Sequence, residues 1–195
     1  MRRKSFDLVV SAAGLVIAAV LLIAAGLLFW GHSFIDSNVR SQLADQRITM
    51  PSGQAIADPA IKPYLQKYAG QQMTDGAQAK AYADHFIKVH LKAATGDRTY
   101  AELSTAARLD PTNTDLQGLV QTSFRGETLR GMLLNAYAFW KMGQIAFIAA
   151  WTAVAAGGLL TLLSMLGLWH ARRTSFDTDM HVPGWHPERS STQQG

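Results

Sequence analysis

Two uncharged apolar segments constrain the fold of this chain more than any other feature. Residues 8–30 and residues 145–169 contain no Asp, Glu, Lys or Arg, and apolar side chains fill most of both. A membrane helix needs about 20 such residues, because it rises 1.5 Å per residue across a hydrocarbon core of about 30 Å. Since a helix satisfies its own backbone hydrogen bonds in lipid, each segment is predicted to be one transmembrane helix.

The rest of the chain has an ordinary charged composition. All 18 basic and 14 acidic residues lie outside the two apolar segments, and the chain has no cysteine. The lack of cysteine excludes disulfides, thiol catalysis and cysteine-ligated metal sites. Residues 31–141 carry basic and acidic side chains in similar numbers, which indicates a mixed surface, so no nucleic-acid partner is expected. The composition excludes a purely soluble protein.

Basic residues beside the apolar segments predict the orientation. Residues 2–4 are Arg-Arg-Lys, and Arg172 and Arg173 follow the second segment. The connecting region is about 110 residues long, and loops of that length are translocated largely regardless of their charge. Both termini are therefore predicted to be cytoplasmic, in the plasma membrane, with Trp30 and Trp169 at the interfaces.

A cleaved signal peptide is the alternative interpretation of the N-terminus. Residues 2–4 resemble a signal n-region, and the small residues 24–26 offer a cleavage site. Signal h-regions, however, run about 7–15 residues, and this apolar segment exceeds 20. The sequence favours an uncleaved anchor.

The predicted fold class is all-α, with two transmembrane helices flanking a small helical extracytoplasmic domain. The predicted boundaries are 1–7 for a cytoplasmic N-terminus, 8–30 for the first span, 31–141 for the extracytoplasmic domain, 142–170 for the second span and 171–195 for a flexible cytoplasmic tail. The first span is expected to extend as a helix to about residue 47 and to break at 48–53, where Pro and Gly occur.

Three pairs with capping-box spacing predict helix starts in the central region. They are Asp75 with Gln78, Thr99 with Glu102, and Thr114 with Gln117. The last helix should lead into the second span, with a kink or break at one of the glycines 118, 126 and 131.

The helix after Asp75 has two apolar stripes at α-helical spacing. Tyr82 and Phe86 belong to one stripe, and Ile87 and Leu91 belong to a second on nearly the opposite side. A helix of this kind is expected to pack between two others.

No catalytic, metal or cofactor site is predicted. His85 and His90 share a helix but stand about 140° apart, so one face does not present both to an ion. His181 and His186 lie in the tail, where the favoured interpretation is solvation and the alternative is weak metal binding. The sequence has no nucleophile motif and no phosphate loop, so the protein is predicted not to be an enzyme.

Two sets of residues are candidates for contacts. The first is a polar and aromatic patch ahead of the second span: Arg125, Glu127, Arg130, Asn135, Tyr137 and Trp140. The favoured interpretation is that these residues pair within their own helix, and the alternative is that they dock a partner or lipid headgroups. The second is a row of small residues in the second span: Ala149, Ala153, Gly157 and Thr161. Small residues allow close helix approach, either between the two spans, which is favoured, or with a second copy or another membrane protein.

Four stretches of sequence carry a resemblance to a known family. They are 61–64 (IKPY), 79–83 (AKAYA), 99–102 (TYAE) and 124–140 (FRGETLRGMLLNAYAFW). Together they resemble a family of actinobacterial two-span integral membrane proteins, some of which are named aromatic ring-opening dioxygenase. The resemblance implies the two-span topology. It transfers no iron site, because such a site needs two histidines and a carboxylate together.

The function expected from these features is contact rather than chemistry. The leading hypothesis is a non-catalytic accessory or assembly factor for a membrane or envelope complex. The alternatives are a ligand-sensing membrane protein that signals through a partner and an envelope enzyme without a recognisable motif. The expected partners are the lipid bilayer and a membrane protein or second copy of the chain.

The orientation is tested by fusing a reporter after Gly195. A reporter enzyme that works only in the cytoplasm should be active there, because the flanking arginines hold this end inside. A reporter that works only outside should be inactive at the same position, and activity of that second fusion would contradict the orientation.

Overall fold

The computed structural model describes residues 3–173, and the tail with His181 and His186 lies outside that range. Within it the chain is helical, and its β structure is one isolated bridge between Thr49 and Gln72. The predicted all-α class is confirmed. The α-helices are α1 (Arg3–Asp45), α2 (Lys62–Leu65), α3 (Gly76–Ala81), α4 (Lys88–Thr95), α5 (Tyr100–Leu109) and α6 (Thr114–Arg173). A π-helix (Tyr82–Ile87) joins α3 to α4, and short 3-10 helices occupy Gly53–Ile56 and Gln66–Tyr68.

Two of these helices are long and apolar enough to cross a membrane. α1 has 43 residues and α6 has 60, which correspond to about 65 Å and about 90 Å of helix. The predicted extension of the first apolar segment into a longer helix is confirmed. The predicted break in the last helix does not occur, because α6 continues through all three glycines as one helix.

The described chain divides into two compact units. Residues 3–26 of α1 and 151–173 of α6 form one, which we call the helix pair. Residues 27–150 form the other, which we call the helical unit.

Small side chains line the contact between the two helices of the pair. Ser11, Ala18 and Ala25 of α1 are buried, seven residues apart, and Gly157, Ser164 and Ala171 of α6 are buried at the same spacing. A seven-residue repeat keeps one face of each helix against its partner. Small residues on that face let the two backbones approach closely.

Glycine and serine alternate across this contact. A Cβ added at Gly14 would clash with the Ser164 hydroxyl, and one added at Gly167 would clash with the Ser11 hydroxyl. At Gly157 an added Cβ would lie 3.0 Å from Leu22 Cγ. Of the helix-packing row expected from the sequence, Gly157 is buried and the other three residues, Ala149, Ala153 and Thr161, are half-buried.

The core of the helical unit joins α1, α6 and the short helices. Its members are apolar residues with little or no solvent exposure: Val39, Leu43, Met50, Ile56, Ile61, Leu65, Met73, Ala79, Ala83 and Leu133. After α1 ends, the chain returns to this core through a short backbone pairing, in which Met50 and Met73 donate to the carbonyls of Gln71 and Ile48 over 2.8 Å each. The core therefore holds α2, α3 and the π-helix against both long helices.

The caps of the short helices are largely those the sequence predicts. Reciprocal capping boxes form at Asp75 with Gln78 and at Thr99 with Glu102, as predicted. The third predicted box is wrong. The side chain of Asn113, one residue before α6, accepts a hydrogen bond from the Leu116 amide over 3.0 Å and so provides the cap.

Close packing explains why a glycine occurs at one of these positions in α6. A Cβ at Gly126 would lie 2.8 Å from Leu91 Cδ1, whereas Gly118 and Gly131 have open space around them. Gly126 therefore lets α4 pack directly on α6.

The contact in the helix pair is tested with two adjacent glycines. Gly157→Leu should lower the stability of the full chain by about 1–3 kcal/mol, because the new side chain must displace Leu22 and the Ala18 backbone. Gly158→Leu is the matched control, since nothing lies within 4 Å of its added Cβ. Thermal unfolding in detergent micelles measures both, and equal melting temperatures would contradict the described packing.

Candidate functional site

Within the helical unit, α1 and α6 meet closely at Gly143. The ring of His32 donates from Nδ1 to the Gly143 carbonyl over 3.0 Å. A Cβ at Gly143 would lie 3.1 Å from Ile35 Cγ2. The absence of a side chain at this position therefore allows the two helices to approach.

An apolar groove of about 920 Å³ lies beside this contact. Its α1 wall is formed by residues on successive turns of one helix face: Phe34, Ile35, Asn38, Val39, Gln42 and Leu43. Gln46, in the turn after α1, extends this wall. Its α6 wall is formed by Leu129, Met132, Leu133, Asn135, Ala136, Phe139 and Met142. The remaining lining residues are Ile48, Tyr82 and Ile87.

The lining of this groove contains no Asp, Glu, Lys, Arg or His. The polar groups are the amides of Asn38, Gln42, Gln46 and Asn135 and the Tyr82 phenol. Several apolar lining residues remain open to the exterior, and Met132 is 67% exposed. The groove therefore offers open apolar surface with a few amides that both donate and accept hydrogen bonds.

The π-helix supplies two lining residues that the sequence placed on opposite stripes. Tyr82 and Ile87 are five residues apart, which is about 140° in an α-helix. A π-helix bonds residue i to i+5 and brings such residues to the same side. Both residues therefore line the groove, and the expectation of two opposite stripes is wrong at this point. Burial raises the pKa of the Tyr82 phenol above its ordinary value.

The other side of the π-helix carries an ion-paired carboxylate. Asp84 contacts Lys80 one turn earlier and Arg130 of α6 at 3.4 Å. Arg130 also contacts Glu127 at 3.2 Å. The Asp84 side chain is 20% exposed, against 48% for Glu127, so the pairing with Asp84 is the better shielded of the two.

These contacts change the ionisation of Asp84. Burial acts to raise the pKa of this carboxyl, but hydrogen bonds and positive charge from Lys80 and Arg130 outweigh it, so the pKa is lowered. Asp84 is therefore ionised throughout the neutral range. The Nε atom of Arg130 is buried and has no hydrogen-bond partner among the described residues.

The residues of the predicted contact patch lie in different surroundings in the structure. Arg125 and Glu127 are exposed on α6, and Arg130 is mostly shielded beside Asp84. Asn135 lines the groove. The ring of Tyr137 lies 5.2 Å from the Lys80 ammonium.

Trp140 packs against the start of α3. A Cβ at Gly76 would lie 2.5 Å from Trp140 Cβ, so the indole occupies the space that a side chain there would need. Trp140 is half-buried against the core of the helical unit. Trp140 is therefore in contact with other parts of the protein on at least one side.

His85 of the π-helix and His90 of α4 have separate neighbours. His85 stacks on Tyr64 with ring centroids 3.4 Å apart, and His90 lies 2.8 Å from the Phe86 carbonyl. Burial lowers the pKa of His85, helped by the charges of Lys80 and Lys88 and opposed by Asp84. Within residues 3–173 no three His, Asp or Glu side chains cluster in a way that would hold a metal ion.

Sequence reasoning missed Asp84 and most of the groove. Asp84 lies 46 residues from Arg130, and no local pattern links the two. A weaker signal was present for the groove, since Asn38, Gln42 and Gln46 recur every four residues beside apolar neighbours. That spacing places Asn38 and Gln42 on one face of α1, and Gln46 follows in the turn after the helix ends.

No family model matches the sequence, and no curated protein and no solved structure is significantly similar to it.

The Asp84 pairing is tested by Asp84→Asn, with Glu127→Gln as the matched control. Loss of the shielded charge leaves Arg130 poorly paired, so the free energy of unfolding should fall by about 1–3 kcal/mol. The exposed Glu127 pair should contribute less than about 1 kcal/mol. Because the pKa of Asp84 is lowered in the folded chain, its contribution is present above about pH 4 and is lost as the pH falls through the lowered value.

Unfolding of the full chain, followed between pH 7 and pH 2, should therefore show a steeper loss of stability for the unsubstituted chain than for Asp84→Asn. Parallel pH curves for the two proteins would contradict the role given to Asp84.

Proposed function

We propose that this chain is a non-catalytic accessory protein of a membrane or envelope complex, and that it works by binding an apolar molecule in the groove. In this proposal α1 and α6 cross the plasma membrane, both termini are cytoplasmic, and the helical unit stands outside. The mixed charge of residues 31–141 suits a surface in water.

The surfaces of the two long helices support a membrane location. Large apolar side chains in the helix pair point outward, among them Val16, Ile23 and Leu162, each more than 60% exposed. A continuous apolar surface of this kind is unfavourable in water. The same surface matches the hydrocarbon of a bilayer, and its length is sufficient to cross one.

The groove is the observation that carries the binding role. Its volume of about 920 Å³ lies within the range of sites that hold small molecules, roughly 300–1,000 Å³. Its lining is apolar with a few amides, the composition of a site that binds rather than reacts.

A ligand-sensing role is the second candidate, and the same cavity favours it. A sensor would bind its ligand in the groove and pass the change to a partner, whereas an accessory protein would hold the molecule for a complex. The two roles share the groove and differ in whether binding changes the partner's activity.

The binding role is tested by placing a photoreactive amino acid at Met132 in the full chain in native membranes. Met132 lines the groove and faces outward, so illumination should attach the bound molecule there. Leu109 of α5 is the matched control, because it is apolar and 83% exposed but lies outside the groove. Mass spectrometry of the purified chain identifies the adducts.

A defined adduct at position 132 that is absent at position 109 supports the proposal. The same weak, mixed adducts at both positions would overturn it, since an apolar side chain exposed at random would then explain the reaction.

A further inference from the structure

We infer that the groove takes an acyl chain of a phospholipid from the surrounding bilayer. This inference rests on the proposed membrane location and binding role, and it names the occupant. Four properties of the groove support it: its place along the helices, its length, its volume and its polarity.

The groove begins where the uncharged segments end. Phe34 follows Trp30 by four residues on α1, and Met142 precedes Ile145 by three on α6. Each distance is about one helical turn. A lipid chain leaving the bilayer would therefore meet the groove within one turn, and lipid is the most abundant apolar molecule at that place.

The length of the groove matches that of a lipid chain. Its α6 wall runs from Leu129 to Met142, which is about 20 Å of helix. One leaflet of the hydrocarbon core is about 15 Å deep, half of the roughly 30 Å total. An acyl chain in an extended form therefore fits along the groove.

The volume separates a lipid chain from a partner helix. A helix about 10 Å across and 20 Å long occupies roughly 1,600 Å³, which exceeds the groove's volume of about 920 Å³. Carbon atoms approach to about 4 Å, so a hydrocarbon chain is about 5 Å wide and 20 Å of it occupies roughly 400 Å³. The groove therefore has room for one such chain or for two side by side, whereas a helix would enter it only in part.

The polarity of the groove fits the ester region of a lipid better than its headgroup. Asn38 and Gln42 lie on successive turns of α1 and Gln46 lies in the turn that follows, and their amides can donate to ester oxygens. The lining has no charged side chain to pair with a phosphate or an ammonium. We therefore expect the acyl chain to be bound without preference for headgroup charge.

The test uses the full chain in vesicles of phosphatidylcholine and phosphatidylglycerol that contain a small fraction of phosphatidylcholine with a photoreactive acyl chain. After illumination, peptide mass spectrometry should find lipid adducts on residues 129–139 as well as on the helix pair. The adducts around Leu162 serve as an internal standard, because that side chain faces outward. The yield on residues 129–139 should be the same when the photoreactive lipid is phosphatidylglycerol.

Ala136→Trp fills the groove and should lower the adduct yield on residues 129–139 about tenfold, the effect of losing roughly 1.4 kcal/mol of binding. Ala138→Trp is the matched control, since that residue is exposed on the same helix and does not line the groove. Unchanged labelling in a folded Ala136→Trp protein would overturn the inference.

A second variant does not touch the core. Ala136 packs against the core cluster, whereas Met132 is mostly exposed, so Met132→Glu places a charge in the groove with little effect on folding. Met132→Glu should lower the adduct yield about as much as Ala136→Trp, because a bound acyl chain would cover an unpaired carboxylate, which is costly. Gln121→Glu, on α6 beyond the groove, is its control and should label normally.

The photoreactive residue at Met132 separates failure of this inference from failure of the proposed function. A phospholipid mass on that residue supports both. A peptide mass from another protein would overturn the lipid inference and leave the binding role standing. No adduct beyond the level at Leu109 would overturn both.

Discussion

The close contact of α1 with α6 at Gly143 is the constraint on which the helical unit depends. At this point a glycine, a histidine and one aliphatic side chain bring together helices whose contacting residues are about 110 positions apart in sequence. Farther along, the facing side chains are larger: Val39 and Leu43 on one helix, Leu133 on the other. The π-helix packs beside these larger residues, and its Tyr82 and Ile87 join the two long helices in lining the groove.

The sequence predicted well the features that depend on neighbouring residues. The two apolar segments, the extension of α1 and the capping boxes at Asp75 and Thr99 all follow from local periodicity or from three-residue spacing. The third cap was missed because Asn113 competes with Thr114 for the same amides, and the structure selects the residue one position earlier. Local rules rank such candidates poorly when two adjacent residues both qualify.

The candidate site could not be predicted in the same way, because it depends on contacts between distant parts of the chain. The groove joins Phe34 to Met142, and the shielded ion pair joins Asp84 to Arg130. The glycines of α6 show the same limit. In the sequence Gly126 indicates flexibility, but in the structure the side chain of Leu91 occupies the space that a larger residue at position 126 would need. Helical propensity describes the cost of such a glycine but not the packing that requires it.

Charge and apolar surface are separated on the two elements that meet here. On the π-helix, Tyr82 and Ile87 line the groove while Asp84 pairs with Lys80 and Arg130. On α6, Leu129 and Met132 line the groove while Arg130, between them in sequence, pairs with Asp84. The pair of Asp84 with Arg130 thus links the two elements, and the ion pairs satisfy these charges outside the groove. This arrangement leaves the groove lining uncharged although ionised residues are close to it in sequence.

The π-helix also affects how the groove would change over evolution. A π-turn holds one more residue than the α-helical turn it replaces, so Tyr82–Ile87 has the form of a single-residue insertion in an otherwise regular helix. Rewinding the same six residues as an α-helix would rotate everything after them by about 100°. Ile87 would then leave the groove and Leu91 would leave Gly126, although every side chain kept its identity. A relative that lacks one residue in this helix would instead form an ordinary α-helix and keep that register, so it is expected to present the same groove wall without the π-turn.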